Sequence, residues 1–299
     1  MAHEDAGWWQ YRLVVSGHEV GELEDRLFAS GALSITLLDA EDQPILEPAP
    51  GETPLWDRVV LVALYCGGPA AEELAREISA SLGHAVEATQ LERLADEAWE
   101  RSWMAHFEPM DFGHGLWIVP SFAEPPDLDA INVRLDPGLA FGTGTHPTTS
   151  LCLRHLAQHP PTGQSVVDYG CGSGVLSIAA LMLGASTVWA TDLDNQALLA
   201  SRENAVTNQV DANMLLTLPD VVPDWRADLL VANILHGPLL ALRDTFVERV
   251  RDGGTVVLSG VLQEQARELQ AHYAEVLDGI DIAVEGDWCR LRGTVRSRA

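Results

Sequence analysis

The stretch "SVVDYGCGSGVLSIAALMLGA", Ser165 to Ala185, limits the fold more than any other part of the chain. "SVVDYG" is short and nearly all apolar, as expected of a strand covered on both faces of a parallel sheet. "GVLSIAALMLGA" reads as a helix. Between them Gly170, Gly172 and Gly174 make a tight turn with no Cβ to obstruct a ligand. The same rhythm continues. "STVWATDLD" is a strand, and "NQALLASRENAVTN" is a helix with Asn195 as its expected N-cap. "NMLLTL" and "ADLLVAN" are further strands, and "GPLLALRDTFVERV" is one helix with Pro238 in its first turn. "GGTVVLSGV" is a strand, "QEQARELQAHYA" a helix, and "IDIAVEGDWCRLRGTV" a closing hairpin. Residues 131–299 are therefore expected to form a doubly wound, mostly parallel seven-stranded α/β sheet with an antiparallel end.

Ligands of such sheets bind beyond the carboxyl ends of the strands, where the strand order reverses. The turn here spells GxGxG behind Asp168, not GxGxxG. A pyrophosphate at a helix N-terminus needs no acid beside it, and Asp168 would oppose it. An acid there suits a cationic or zwitterionic ligand. S-adenosylmethionine, which carries a sulfonium and an amino group, is the expected cofactor, with NAD the rival. Asp192 or Asp194, closing the next strand, can accept both ribose hydroxyls. Asn233 closes the fourth strand, where the reactive methyl should project, and its amide can orient an amine lone pair.

Residues 1–91 read differently. "WWQYRLVV", "ALSITLLDA", "WDRVVLVALYC" and "HAVEATQLE" are strand-like. "EVGELEDRLFASG" and "PAAEELAREISASLG" have helical spacing and end at Gly31 and Gly83. The order β-α-β-β-α-β is that of a ferredoxin-like α+β module, a fold with no fixed function. A linker over 92–130 follows. In it Trp99 and Trp103 share a helix face, either packing between domains or facing substrate, and "GLWIVP" is a strand.

"DPGLAFGTGTHPTTS", Asp136 to Ser150, precedes the helix that leads into the Asp168 strand. No Lys follows its glycines, so it is not a phosphate-binding loop. It reads as a lid over the cofactor. His146 is either a base or a structural element of that lid.

Charge narrows the partners. Asp and Glu outnumber basic residues 44 to 18, every basic residue is Arg, and the formal charge is −26. Without a basic stripe, direct nucleic-acid binding is not expected. The acidic, Lys-free composition also fits a salty habitat or a GC-rich genome. The four cysteines form no CxxC pair, which argues against a zinc site or a disulfide framework. No apolar run reaches the roughly 20 residues of a membrane span, and "MAHEDAGWWQ" lacks the apolar core of a secretory signal. The expected location is the cytoplasm.

"DPGLAFGTGTHPTTSLCL", "VVDYGCGSGVLSIAALMLGA", "TDLDNQALLASRENA", "VANILHGPL" and "EGDWCRLRG" closely resemble the bacterial methyltransferases that modify protein eleven of the large ribosomal subunit, the PrmA family. The resemblance spans essentially the whole chain and is most specific from about residue 96 onward. It implies a cytoplasmic enzyme with a small substrate-recognition domain, a linker and a catalytic domain. That enzyme would trimethylate lysine ε-amines and the N-terminal α-amine of that ribosomal protein, free or on the ribosome. It would be a monomer, with no membrane contact. Carried over by motif, the cofactor contacts are Thr149, Gly170, Asp192 and Asn233. Asp168 and Gly172 join them from the turn itself, and Asn233 is also the candidate catalytic residue. His236 follows "NIL" where the family carries Ala, leaving it as a proton acceptor or a helix-cap or packing residue. Still open are another protein, a small-molecule amine or an RNA base as the acceptor, and an inactive cofactor-binding regulator.

Overall fold

The computed structural model describes residues 7–41, 54–66, 70–94, 108–136, 144, 146–221 and 223–297. The chain divides into two compact units, Met1–His106 and Phe107–Ala299.

The first unit is a four-stranded sheet with two helices. Its elements in order are β1 (Trp8–Ser16), α1 (Val20–Ala29), β2 (Ser34–Asp39), β3 (Arg58–Cys66), α2 (Ala71–Leu82) and β4 (Leu91–Leu94). The sheet order is β2-β3-β1-β4 and every pairing is antiparallel. Val59, Leu61, Ala63 and Tyr65 alternate along β3 and are buried with Leu27 of α1 and Leu74 and Ile78 of α2. Gly31 and Gly83 follow the helices with φ of 95° and 76°, the left-handed region that glycine enters without strain. The fourth strand lies later than its sequence suggests. Ser79 Oγ accepts from Val86 N–H at 2.8 Å, and Gln90 Oε1 accepts from Glu87 N–H at 2.8 Å. These side chains occupy donors that a ladder would use, so Ala88–Gln90 forms a 3₁₀ turn and pairing begins at Leu91.

In the second unit β5 (Met110–Asp111), β6 (Leu116–Val119) and β7 (Ile131–Arg134) form a small sheet in that order. The large sheet follows α3 (Pro147–Gln158). Its elements are β8 (Ser165–Tyr169), α4 (Val175–Met182), β9 (Thr187–Thr191), α5 (Asn195–Thr207), β10 (Met214–Thr217), β11 (Ala227–Asn233), α6 (His236–Ala241), α7 (Arg243–Arg249), β12 (Val250–Leu262), α8 (Ala266–Tyr273), β13 (Leu277–Glu285) and β14 (Trp288–Val295). The seven strands run β10-β9-β8-β11-β12-β14-β13. The first five are parallel, and β14 lies antiparallel between β12 and β13. Strand order reverses between β8 and β11.

The apolar runs of the sequence are explained by two cores, one on each face. Val166, Val188, Leu229, Val231 and Val257 join a core with α3, α4 and α5. The alternate residues Val167, Trp189, Leu230, Ala232 and Leu258 join a second core with α6, α7 and α8. A strand with both faces buried has no polar position to spare. α4 is buried from Val175 to Leu181, which is why it is apolar all round.

Two local expectations change. The cap of α5 is Asp194, whose Oδ1 accepts from Gln196 N–H at 2.8 Å; Asn195 is the first helical residue. The helix expected over "GPLLALRDTFVERV" is broken at Leu242, with φ −94° and ψ 5°. Leu239 on one side of the break and Phe246 on the other are both fully buried in the same core. Among the described residues no helix is long and apolar enough to cross a membrane.

Candidate cofactor and acceptor site

The β8–α4 turn holds Gly170, Gly172 and Gly174 at φ of 80°, 53° and 79°. An L residue is strained at each. At Gly170 a Cβ would also lie 2.3 Å from Ile234 Cγ2, so the residue after Asn233 packs directly onto the turn. Neighbouring elements fix the turn's backbone. Thr191 O accepts from Gly170 N–H at 2.8 Å and Cys171 N–H at 3.0 Å. Ser201 Oγ and Asn204 Nδ2 of α5 donate to the carbonyls of Gly172 and Ser173 at 2.8 and 2.9 Å.

Asp168 sits beneath the turn, 1% exposed. Its Oδ2 accepts from Ser177 N–H at 3.0 Å and Ser177 Oγ–H at 2.6 Å. Burial pushes its carboxyl up to about 6; the Ser177 hydrogen bonds oppose the rise and the charge of Asp192 adds to it. Its Oδ1 is buried without a hydrogen-bond partner among the described residues. Asp192 faces the turn, accepting from Gly172 N–H at 2.9 Å through Oδ2 and from Asp194 N–H at 3.0 Å through Oδ1. A carboxylate has about four lone-pair sites, so two remain for ligand hydroxyls. Of the two acids that close β9, Asp192 is at the turn and Asp194 serves as the helix cap.

Asn233 ends β11. Its Nδ2 donates to Thr149 Oγ1 at 3.1 Å, joining residues 84 positions apart, and its Oδ1 is buried without a partner among the described residues. Thr149 is 1% exposed in the first turn of α3. Asp168, Gly170, Gly172, Asp192, Asn233 and Thr149 are thus gathered at the carboxyl ends of β8, β9 and β11. His146 caps α3: its Nδ1 lies 2.8 Å from Thr148 Oγ1, and Pro147 opens the helix. Its ring meets the Trp288 ring edge-on at 4.7 Å, and burial lowers its pKa. Gly144, with φ of 91°, packs near Met110, Phe112 and Ile118. Residues 137–143 and 145, including Phe141, Gly142 and Thr143, and also Trp99 and Trp103, lie outside the described residues.

The arrangement fits S-adenosylmethionine. The buried acceptors Asp168 Oδ1 and Asn233 Oδ1 suit ammonium or N–H donors, and the glycine turn admits close approach of a ligand. Ser177 bonds Asp168 and Ile234 packs on Gly170 in this candidate site, and the sequence reading missed both. Only Ser177 carried a local signal, as a hydroxyl in the first turn of an otherwise apolar helix.

A doubly wound seven-stranded sheet with this acid-headed glycine turn after its central strand defines the catalytic unit of an S-adenosylmethionine-dependent methyltransferase. The family model described as "Ribosomal protein L11 methyltransferase (PrmA)" matches residues 7–296, and the chain belongs to that family. A relative from Azotobacter vinelandii, named ribosomal protein L11 methyltransferase, is 48% identical over 290 residues, covering 97% of this chain and 99% of the relative. One of the same name from Pseudomonas aeruginosa is 47% identical over 291 residues, again covering 97% of this chain and 99% of the relative. The crystal structure of ribosomal protein L11 methylase from Lactobacillus delbrueckii subsp. bulgaricus matches with a TM-score of 0.58 and 34% identity, covering 64% of this chain and all of that one.

Proposed function

We propose that the chain is the S-adenosylmethionine-dependent enzyme that trimethylates lysine ε-amines and the N-terminal α-amine of ribosomal protein L11. The observation that carries this is the near-full-length relation, 97% of the chain, to proteins named ribosomal protein L11 methyltransferase. We read residues 1–91 as a ferredoxin-like substrate-recognition domain, 92–130 as a linker and 131–299 as the catalytic domain. The antiparallel β2-β3-β1-β4 sheet supports the ferredoxin-like reading of the first of these, its last strand running on to Leu94. The enzyme works in the cytoplasm as a monomer, on free or ribosome-bound L11, without contacting nucleic acid directly.

The bound cofactor supplies a methyl on a sulfonium. The chain's residues hold and align the partners. Asp192 would accept the ribose hydroxyls, Asp168 Oδ1 would accept from the ligand's ammonium, and Gly170 and Gly172 would give it room. Thr149 accepts from the Asn233 amide at 3.1 Å, and Asn233 Oδ1 would accept an N–H of the acceptor amine and orient it. Deprotonating a free lysine at neutral pH costs roughly 4–5 kcal/mol, and an α-amine only about 1 kcal/mol. Proximity and exclusion of water supply most of the rate.

The test is to incubate the purified protein with labelled S-adenosylmethionine and total large-subunit proteins. Label confined to L11, with three methyls on its α-amine and on lysines, supports the reading. Label on another protein, or on none, refutes it.

A further inference from the structure

Ser259 lies in β12 and is fully buried. It is the register partner of Asn233 in the neighbouring parallel strand β11. Its Oγ–H donates at 3.1 Å toward two carbonyls, Thr148 O in the first turn of α3 and Cys289 O on β14. Thr148 precedes Thr149, whose Oγ1 accepts from Asn233 Nδ2 at 3.1 Å. The backbone after Asn233 meets β12 at the same place. Ile234 N–H donates to Ser259 O at 3.1 Å. Gly260 has φ of 90°, and a Cβ there would lie 2.3 Å from Ile234 O. The pairing of β12 with β14 shifts register between Ser259 and Val261, which marks a bulge at Gly260.

We propose that Ser259 is a positioning residue for methyl transfer: its hydroxyl latches α3 onto β12 and so fixes the amide of Asn233. The inference rests on the methyltransferase reading of the Asn233 site. The terminal torsion of an asparagine is broad and roughly two-fold, so its amide needs a partner to hold one orientation. Thr149 Oγ1 is that partner, and by holding Nδ2 it fixes where Oδ1 points. Thr149 can do so only while its own turn of α3 stays in place. Ser259 ties that turn to the strand beside Asn233, so both ends of the Asn233–Thr149 bond are anchored on β12. Being fully buried, Ser259 acts through Thr148 and Thr149 rather than by touching a ligand.

A serine needed only for the sheet would bear on stability and not on turnover. The geometry favours the other role. β12 and β14 pair on both sides of Ser259, Leu258 with Leu291 and Val261 with Cys289, so the strands keep register without its hydroxyl. What the hydroxyl adds is a link to α3, 111 positions earlier in the chain. A second polar link to α3 runs from Glu285 on β13 to Ser150 Oγ at 3.0 Å, with Arg154 Nε at 3.8 Å. Arg154 and Glu285 are partly exposed, where an ion pair contributes little. The Ser259 bond is shielded from water and lies one residue from Thr149.

The test compares Ser259→Ala, Thr149→Val and the double variant with the wild type. For each, kcat and KM for L11 are measured at saturating S-adenosylmethionine, and the Asn233 side-chain amide is followed by NMR. Ser259→Ala should lower kcat on the order of 10- to 100-fold, approaching the cost of a 1 Å misplacement, with KM for L11 nearly unchanged. It should also shift the Asn233 amide signal and speed its exchange with water before any substrate is added. The double variant should be no slower than Thr149→Val, because both changes break one link. Ser259→Cys keeps the shape with a weaker donor, and its kcat should fall between those of the wild type and Ser259→Ala. It carries the test if the alanine variant does not fold. Wild-type kcat, or an unmoved Asn233 amide signal, in the variant that folds overturns the proposal. So does a double variant whose loss is the product of the two single losses. Failure of the wild type itself to methylate L11 would instead sink the underlying reading, and the amide signal would still report on the latch.

Discussion

Asp168→Asn separates what the buried carboxylate does for the fold from what it does for the ligand. Burial raises its pKa from 3.8 to about 6 in the folded state. The folded protein therefore binds this proton more tightly than the unfolded chain does. That contribution is fully present below about pH 3.8 and is lost as pH rises through about 6. Two pKa units correspond to about 3 kcal/mol, the cost of holding the ionised group in the folded protein at pH 7.5. Asparagine keeps the shape, and its carbonyl can still accept from Ser177 N–H and Oγ–H. The variant without ligand should therefore melt above the wild type at pH 7.5, and the gap should shrink as pH falls toward 5. At roughly 2–4 °C per kcal/mol for a unit of this size, the gap is about 6–12 °C. Cofactor affinity should move the opposite way. Losing a charge-assisted hydrogen bond removes about 1.5–3 kcal/mol, ten-fold or more in affinity. Calorimetric melts across pH 5–8 and binding titrations measure both. A variant that melts below the wild type at pH 7.5, or that binds the cofactor equally well, would refute the account of a destabilising charge kept for its ligand.

Asp192→Ala should abolish measurable cofactor binding with the circular dichroism spectrum unchanged, because ribose hydrogen bonds worth roughly 1.5–3 kcal/mol each are lost; unchanged affinity by calorimetry would remove Asp192 from the site. Gly170→Ala places a Cβ 2.3 Å from Ile234 Cγ2 at a φ of 80° and should destabilise by about 1–3 kcal/mol from backbone strain alone; a denaturant midpoint equal to the wild type would contradict the observed close packing. Residues 107–299 alone should bind cofactor, since all the proposed cofactor contacts lie there, but should not methylate L11; full turnover by that fragment would refute a recognition role for the first unit.

Much of the catalytic unit was legible because its signals are local. Val166 and Val167, Leu229 and Leu230, and Val256 and Val257 face opposite cores, so the continuous apolar runs already announced strands buried on both faces. The glycine pattern from Gly170 to Gly174 marked the tight turn between β8 and α4, because only glycine enters such a turn without strain. Where the reading slipped, side chains competed with the backbone. Ser79 and Gln90 take amides that "HAVEATQLE" would otherwise offer to a ladder. Asp194 rather than Asn195 caps α5, a difference of one residue that the side-chain hydrogen bond decides.

The amino-acid sequence by itself determined the alternation of strands and helices, the position of the glycine turn and the acids that close the strands. Each of these follows from periodicity, burial or turn chemistry within a few residues. Only the tertiary structure decided that Ser177 ties down one oxygen of Asp168 and leaves the other open, and that Ile234 roofs Gly170. It alone set the Asn233 amide on Thr149, 84 residues away, and His236 beside Glu268. Those meetings depend on the strand order β9-β8-β11-β12, and a hydrophobic period says that a strand is buried without saying which strand lies next to it.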